Sequence, residues 1–213
     1  MRRWIAAQGP LVNTVSDFWR MVLESESQLI VMVTQLVQNG REKSAKYWPK
    51  LHTELVVDDE ITVRTESEKS PEDGVIERTF SLQTTTSCGD TIAREIKQLQ
   101  FVDWPDHGVP DDSANFLKFY HKMLGYQAEL NENLPTIIHC SAGVGRTGVT
   151  IGFDTAVRLL ENNLPVDPLE TLLEMRRQRA CLIQTADQFI FFAKTVLKYY
   201  YESKSRLIKH IEL

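Results

Sequence analysis

The chain has 213 residues, enough for one large domain, and its 42% apolar and 25% charged residues are those of an ordinary globular protein. A formal charge of -5 argues against general affinity for nucleic acid, which needs a basic excess, and no apolar run is long enough to span a bilayer. The apolar stretch in residues 1–6 is too short for a signal peptide. Three separated cysteines, Cys88, Cys140 and Cys181, show no metal-ligand spacing and fit a reducing compartment, so a cytoplasmic setting is expected.

No repeat, low-complexity tract or linker divides the chain, and one domain over residues 1–213 is expected. The spacing of Val15, Phe18, Trp19 and Val22 predicts a helix over 14–24, and the apolar run 29–33 predicts a buried strand. Residues 55–65 and 76–82 partly alternate apolar and polar side chains, which predicts two antiparallel strands, with 67–74 as an exposed turn between them. Phe116, Leu117, Tyr120, Met123 and Leu124 form one helical stripe over 113–124, behind the possible caps Asp112 and Ser113. Thr136-Ile137-Ile138 reads as a buried strand and 149–160 as a helix. Asp167-Pro168-Leu169-Glu170 is a helix start, with Asp as cap, Pro at the first position and Glu returning to the cap, for a helix to about Arg179. Phe189, Phe192, Ala193, Val196, Leu197 and Tyr200 predict a last helix from near Thr185 into Tyr201. The mixture argues for an α+β (mixed α/β) fold, a sheet covered by helices, with the topology left open.

Between the strand ending at Ile138 and the following helix lies His139-Cys140-Ser141-Ala142-Gly143-Val144-Gly145-Arg146-Thr147-Gly148. A small-residue loop from strand to helix can turn successive N–H groups inward and set an anion at the positive end of the helix dipole. Ser141, Ala142, Gly143, Val144 and Gly145 are therefore expected to cradle phosphate. The loop lacks the Gly-Lys-Ser/Thr ending of a nucleotide-binding loop; it offers Cys140 at its start and Arg146 at its end. Donors that attract phosphate also favour a thiolate, the nucleophilic form of cysteine. The planar fork of Arg146 suits two phosphoryl oxygens better than a point-charge lysine would. A lone cysteine is more often an inert buried one, but the complete string makes that the weaker reading.

The string from His139 to Gly148 resembles the signature loop of the phosphotyrosine-specific protein phosphatases. Trp104-Pro105-Asp106-His107-Gly108-Val109-Pro110 resembles that family's mobile loop, which implies Asp106 as the general acid delivered to the tyrosyl oxygen. Gln184-Thr185-Ala186-Asp187-Gln188 is similar to the family's glutamine-bearing loop. That likeness implies Gln184 positions the water that hydrolyses a phosphocysteine, with Gln188 in support. By the same resemblance Thr147 hydrogen-bonds the departing sulfur, and His139 orients the loop rather than moving protons. The likeness extends over nearly the whole chain, through Ile5-Ala6-Ala7-Gln8-Gly9-Pro10, the stretch from Asn13 to Met21, and Lys46-Tyr47-Trp48-Pro49. It implies a central twisted mixed sheet flanked by helices, like that of the protein tyrosine phosphatases, and hydrolysis of phosphotyrosine in partner proteins by a monomer without metal or cofactor.

Residues 106–113 and 163–166 look most like the intracellular subgroup that carries FERM and PDZ domains, which would put the chain at the membrane–cytoskeleton interface. Two departures stand out: Gln38 occupies the place of a glutamate that braces the loop arginine, and Ser44 that of a cysteine. Arg146 is therefore expected to be held less firmly. The resembled family also begins earlier, with helices and an Asn-Arg-Tyr loop that flanks phosphotyrosine, and residues 1–213 hold no counterpart. Weakened preference for phosphotyrosine is the expected consequence. The alternative readings are a catalytically impaired phosphotyrosine-binding pseudophosphatase or scaffold fragment, and a dual-specificity phosphatase. The acid and glutamine motifs argue against the latter.

Overall fold

The computed structural model describes residues 3–58, 60–72, 74–85, 90–106, 108–131 and 133–211, the side chains of 70–72 and 206–211 excepted. Cys88 and His107 lie outside the described residues. The strands are β1 (Trp4–Ala7), β2 (Leu29–Met32), β3 (Val37–Gln38), β4 (Arg41–Glu42), β5 (Glu54–Val56), β6 (Ile61–Glu72), β7 (Val75–Thr85), β8 (Thr91–Phe101) and β9 (Thr136–His139). Seven of them form one sheet in the order β1-β9-β2-β8-β7-β6-β5, and β3 with β4 makes a separate hairpin. From β1 to β8 in that order neighbours run parallel; from β8 to β5 they run antiparallel. The helices are α1 (Val15–Glu24), α2 (Ala114–Glu129), α3 (Gly145–Glu161), α4 (Pro168–Gln178) and α5 (Ala186–Ile211). The expected mixed sheet flanked by helices is therefore present.

Successive residues of a strand point to opposite faces, and β2, apolar throughout, uses both. Leu29 and Val31 enter a core with Phe116 and Phe119 of α2, Val149 and Phe153 of α3 and Phe192 of α5. Ile30 and Met32 enter a second core with Phe18, Trp19 and Val22 of α1, together with Tyr47, Phe80 and Ile96. Burying each of these side chains contributes roughly 1.5–3 kcal/mol, so the centre of the sheet is clamped from both sides. The parallel strands β9 and β2 end side by side, with Met32 opposite His139, and the loop that follows β9 emerges at this fixed edge.

The structure shifts several boundaries. The segment 55–65 is not one strand: Asp58 Oδ1 accepts the N–H groups of Glu60 and Ile61 and breaks it into β5 and β6. Most of the expected turn at 67–74 is strand, since β6 runs to Glu72 with register shifts absorbing its irregularity, and the reversal falls at Gly74 with φ 71°. The long strand β8 carried no clear boundary signal, because Arg94, Lys97, Gln98 and Gln100 interrupt its apolar residues. At α4 the Asp167 cap is as expected, accepting from Leu169 N and Glu170 N. Helix α5 continues ten residues past Tyr201, to Ile211. Most important for the site, α3 begins at Gly145 rather than 149, so Arg146 and Thr147 stand in its first turn.

Candidate active site

The loop from Cys140 to Val144 is fixed from behind by its carbonyls. Cys140 O accepts from His139 Nδ1 at 3.1 Å, Ser141 O from Gly9 N at 2.9 Å, and Gly143 O from Arg179 Nε at 3.0 Å. Val144 O accepts from Ile183 N at 3.0 Å and Gly148 N at 3.1 Å. With these acceptors engaged by the scaffold, the N–H groups are the polar groups the loop has left for an anion, beside the unsatisfied donors of the α3 N-terminus. Gly143 is required here: its φ is 69°, and a Cβ would stand 2.1 Å from Ala7 O of β1.

Arg146 reaches from the first turn of α3 to Thr34 Oγ1 at 3.1 Å, Val33 O at 3.5 Å and Pro105 O at 3.1 Å. Burial holds its guanidinium below the ordinary arginine value, against the opposing pull of Cys140 and Asp106. Gln38 does not brace it. Its Nε2 donates instead to Trp104 O at 2.8 Å, and its buried Oε1 has no hydrogen-bond partner among the described residues. Thr34 and the Pro105 carbonyl take the bracing role expected of that position, so the arginine is anchored by different groups rather than left loose.

Asp106 is drawn inward, its side chain 7% exposed, by an ion pair with Lys43 Nζ at 2.6 Å and a hydrogen bond from Asn39 Nδ2 at 3.0 Å. Both partners come from the hairpin region of β3 and β4, and Asn39 occupies its tip at φ 48°. Trp104, almost wholly buried, closes the acid loop by donating Nε1 to Gly108 O at 3.3 Å. The sequence reading missed Lys43, Asn39 and Thr34 as site residues; no local pattern marks them, since each meets its partner across 63 or more residues.

At the start of α5, Gln188 Oε1 accepts from Gln184 N at 2.8 Å, and its carboxamide lies against Gly145, where a Cβ would come within 2.8 Å of it. Cys140, Ser141, Ala142, Gly145, Arg146, Asp106, Gln184 and Gln188, together with Lys43 and Gly108, line one cavity of about 300 Å³. Gly143 and Val144 are not part of that lining; their carbonyls hold the loop to the scaffold. Thr147 is fully buried, and its hydroxyl has no hydrogen-bond partner among the described residues, so no bond to the Cys140 sulfur exists in this state.

His139 is fully buried between Cys140 O and the Tyr47 hydroxyl, whose oxygen lies 2.9 Å from Nε2. Burial pushes its pKa down to about 4, so the ring is neutral near pH 7. A neutral ring whose Nδ1 faces a carbonyl must carry its proton there, which leaves Nε2 to accept from Tyr47. His139 thus links the Cys140 carbonyl to the Tyr47 hydroxyl.

Among the described residues no group of three or more His, Cys, Asp or Glu is arranged to hold a metal, and no helix is long and apolar enough to cross a membrane.

A mixed sheet flanked by helices, with a cysteine in the small-residue loop after β9 and an arginine in the first turn of the helix that follows, is the build expected of a protein phosphatase domain. The comparison with known proteins makes this particular: a family model described as protein-tyrosine phosphatase matches residues 1–198, and the chain belongs to that family. It is 40% identical over 202 residues to Tyrosine-protein phosphatase 1 of Caenorhabditis elegans, covering 95% of this chain and 19% of the relative. Over 203 residues it is 40% identical to human Tyrosine-protein phosphatase non-receptor type 4, covering 95% of this chain and 21% of that protein. Human Receptor-type tyrosine-protein phosphatase C is 36% identical over 198 residues, which is 93% of this chain and 15% of the receptor. The chain thus spans about one fifth of the length of the first two relatives.

Proposed function

We propose that this chain hydrolyses phosphotyrosine in proteins through a phosphocysteine intermediate. The Cys140 thiolate attacks phosphorus as the bond to the tyrosyl oxygen breaks, and the Asp106 carboxylic acid supplies the proton that leaves with tyrosine. Arg146 and the loop N–H groups bind the phosphoryl oxygens as charge spreads over them. In the second step Asp106, now a carboxylate, takes a proton from a water held by Gln184 with Gln188 in support. That water attacks phosphorus, the sulfur–phosphorus bond breaks, and phosphate and the thiolate are released. Thr147 is the donor to the departing sulfur in this scheme; its unpartnered buried hydroxyl is available for that bond.

The reading is carried by one observation: side chains from four separate stretches, Lys43, Asp106, Cys140 with Arg146, and Gln184 with Gln188, converge on a single cavity. Lys43 serves two anions there, since a phosphoryl dianion entering the cradle competes with Asp106 for its ammonium. The free thiols of Cys140 and Cys181 and the non-receptor name of one relative support a cytoplasmic place in phosphotyrosine signalling.

Steady-state kinetics on a phosphotyrosine peptide test the scheme. Cys140→Ser is expected to abolish turnover while phosphate binding persists. Asp106→Ala is expected to lower kcat by ~10²–10⁴-fold with the peptide still bound. Full turnover in the serine variant removes the nucleophile assignment, and unchanged kcat in the alanine variant removes the acid. A wild-type chain that binds the peptide without turning it over supports the binding-module reading instead.

A further inference from the structure

Behind the sheet edge that carries the cradle runs a buried polar system that the reaction scheme does not use. Its centre is Arg78 of β7, whose side chain is only 6% exposed. The strand register sets its neighbours: Glu68 of β6 on one side and Gln98 of β8 on the other are its direct cross-strand partners, and Gln100 is the diagonal neighbour on the same face. Arg78 Nε donates to Glu68 Oε2 at 2.5 Å, and its guanidinium stacks 4.3 Å from the centre of the Trp48 ring. One nitrogen, Nη1, donates to both glutamines, to Gln98 Oε1 at 2.8 Å and to Gln100 Oε1 at 2.7 Å.

Fixing both carbonyl oxygens on a cation fixes where both amide NH₂ groups point. Gln98 Nε2 donates to the Tyr47 hydroxyl at 2.6 Å. The hydroxyl then has its own proton for His139 Nε2 at 2.9 Å, and Nδ1 has its proton for Cys140 O. Burial pushes the Tyr47 phenol above its ordinary value and the His139 ring below its own, so both remain neutral and the direction of donation along this arm is set. Gln100 Nε2 donates to Thr34 O at 2.9 Å, and Thr34 Oγ1 accepts from Arg146 Nη1. One buried cation therefore reaches the backbone of the nucleophile by one arm and the phosphate-binding arginine by the other.

We propose that Arg78 is a positioning residue for the active site, holding the Cys140 loop through Gln98, Tyr47 and His139, and holding Arg146 through Gln100 and Thr34. The assignment rests on Cys140 and Arg146 having the roles proposed above. Its physical basis is the cost of leaving any member of a buried polar network unpaired, which makes each arm rigid only while all its members are present. None of Arg78, Gln98 and Gln100 lines the cavity, so each acts through other residues.

The two arms can be read separately, and neither readout requires turnover. Alkylation of Cys140 by iodoacetamide at fixed pH reports the sulfur's environment, and protection against it by inorganic phosphate gives an affinity that depends on Arg146. Gln98→Ala is expected to change the alkylation rate about threefold to tenfold, the effect of one buried hydrogen bond, with phosphate affinity held within about twofold. Gln100→Ala is expected to do the reverse, weakening phosphate about threefold to tenfold with little change in alkylation. Arg78→Leu should show both losses. If Arg78→Leu fails to fold, the two glutamine variants carry the test alone. Should both variants lose thermal stability yet leave the two readouts unchanged, or change them in equal proportion, the network is structural only and the proposal is overturned. Failure of the reaction scheme looks different: Cys140→Ser would then turn over substrate, whatever the glutamine variants do to alkylation.

Discussion

Gly145→Ala separates the second chemical step from folding. Gly145 has ordinary helical backbone geometry, so alanine is not strained there, but its Cβ would stand 2.8 Å from Gln188 Nε2 and 2.9 Å from Oε1. Ordinary contact begins near 3.4 Å, so the carboxamide must withdraw by about 0.6 Å. That motion loosens the 2.8 Å bond from Gln184 N and with it the loop assigned to water positioning. Loss of one such bond costs about 0.5–1.5 kcal/mol, which corresponds to a threefold to tenfold slower step. Replacing glycine restricts the unfolded chain and returns about 0.4–1 kcal/mol, so the net change in stability stays within about 1 kcal/mol. Stopped-flow release of phenol from an aryl phosphate should then show a burst larger than that of the wild type, followed by a threefold to tenfold slower steady rate, with the urea midpoint almost unmoved. If the burst and the steady rate fall together, the methyl group disturbs the cradle itself. If neither changes in a folded variant, Gln188 has no part in hydrolysis.

Asn39→Gly removes the amide that holds Asp106 without straining the backbone, since position 39 already has positive φ. It should lower kcat about threefold to tenfold while inhibition by inorganic phosphate is unchanged; a matching loss of phosphate affinity would contradict a role confined to the acid. His139 has a folded pKa near 4 against an ordinary 6.5, so the unfolded chain binds the extra proton first as pH falls. Its contribution is complete above pH 6.5 and is lost as pH drops towards 4, on the order of 3 kcal/mol in all. Urea unfolding across that window should show stability falling with pH, and His139→Asn should flatten the slope; an unchanged slope would contradict it. Limiting peroxide should oxidise Cys140 before the more exposed Cys181, because reactivity follows the setting of the sulfur at the cradle rather than exposure alone. Peptide mass spectrometry finding Cys181 modified first would refute that order.

The loop after β9 was legible because its residues are contiguous: ten neighbouring positions carry the proposed nucleophile, the turn at Gly143 and the arginine. That Asp106 and Gln184 belong to this cavity was legible only through resemblance, since each stands in a short polar segment that alone would read as a turn or a helix start. The start of α3 was misplaced because Gly145, Arg146, Thr147 and Gly148 hold no apolar stripe, while helix formation there is set by packing of Val149 and Phe153 beneath it. Lys43, Asn39 and Thr34 were invisible because their meaning depends on which strand ends lie side by side. Arg78 is the clearest case. The two-residue period sets it on the face of Phe80 and Leu82 while its charge argues for solvent, and only the register that places it between Glu68 and Gln98 shows how a buried guanidinium is paired there.

The central claim is a covalent phosphocysteine at Cys140, and trapping that species tests it most directly. Gln184→Ala, which should slow hydrolysis of the intermediate, is mixed with an aryl phosphate and quenched in acid within the first turnover; the digested peptides are then weighed. The account expects one phosphoryl group on the peptide containing Cys140 and none on that peptide in Cys140→Ser. A phosphoryl group on any other residue, or a full burst of phenol with no labelled peptide at all, would contradict it.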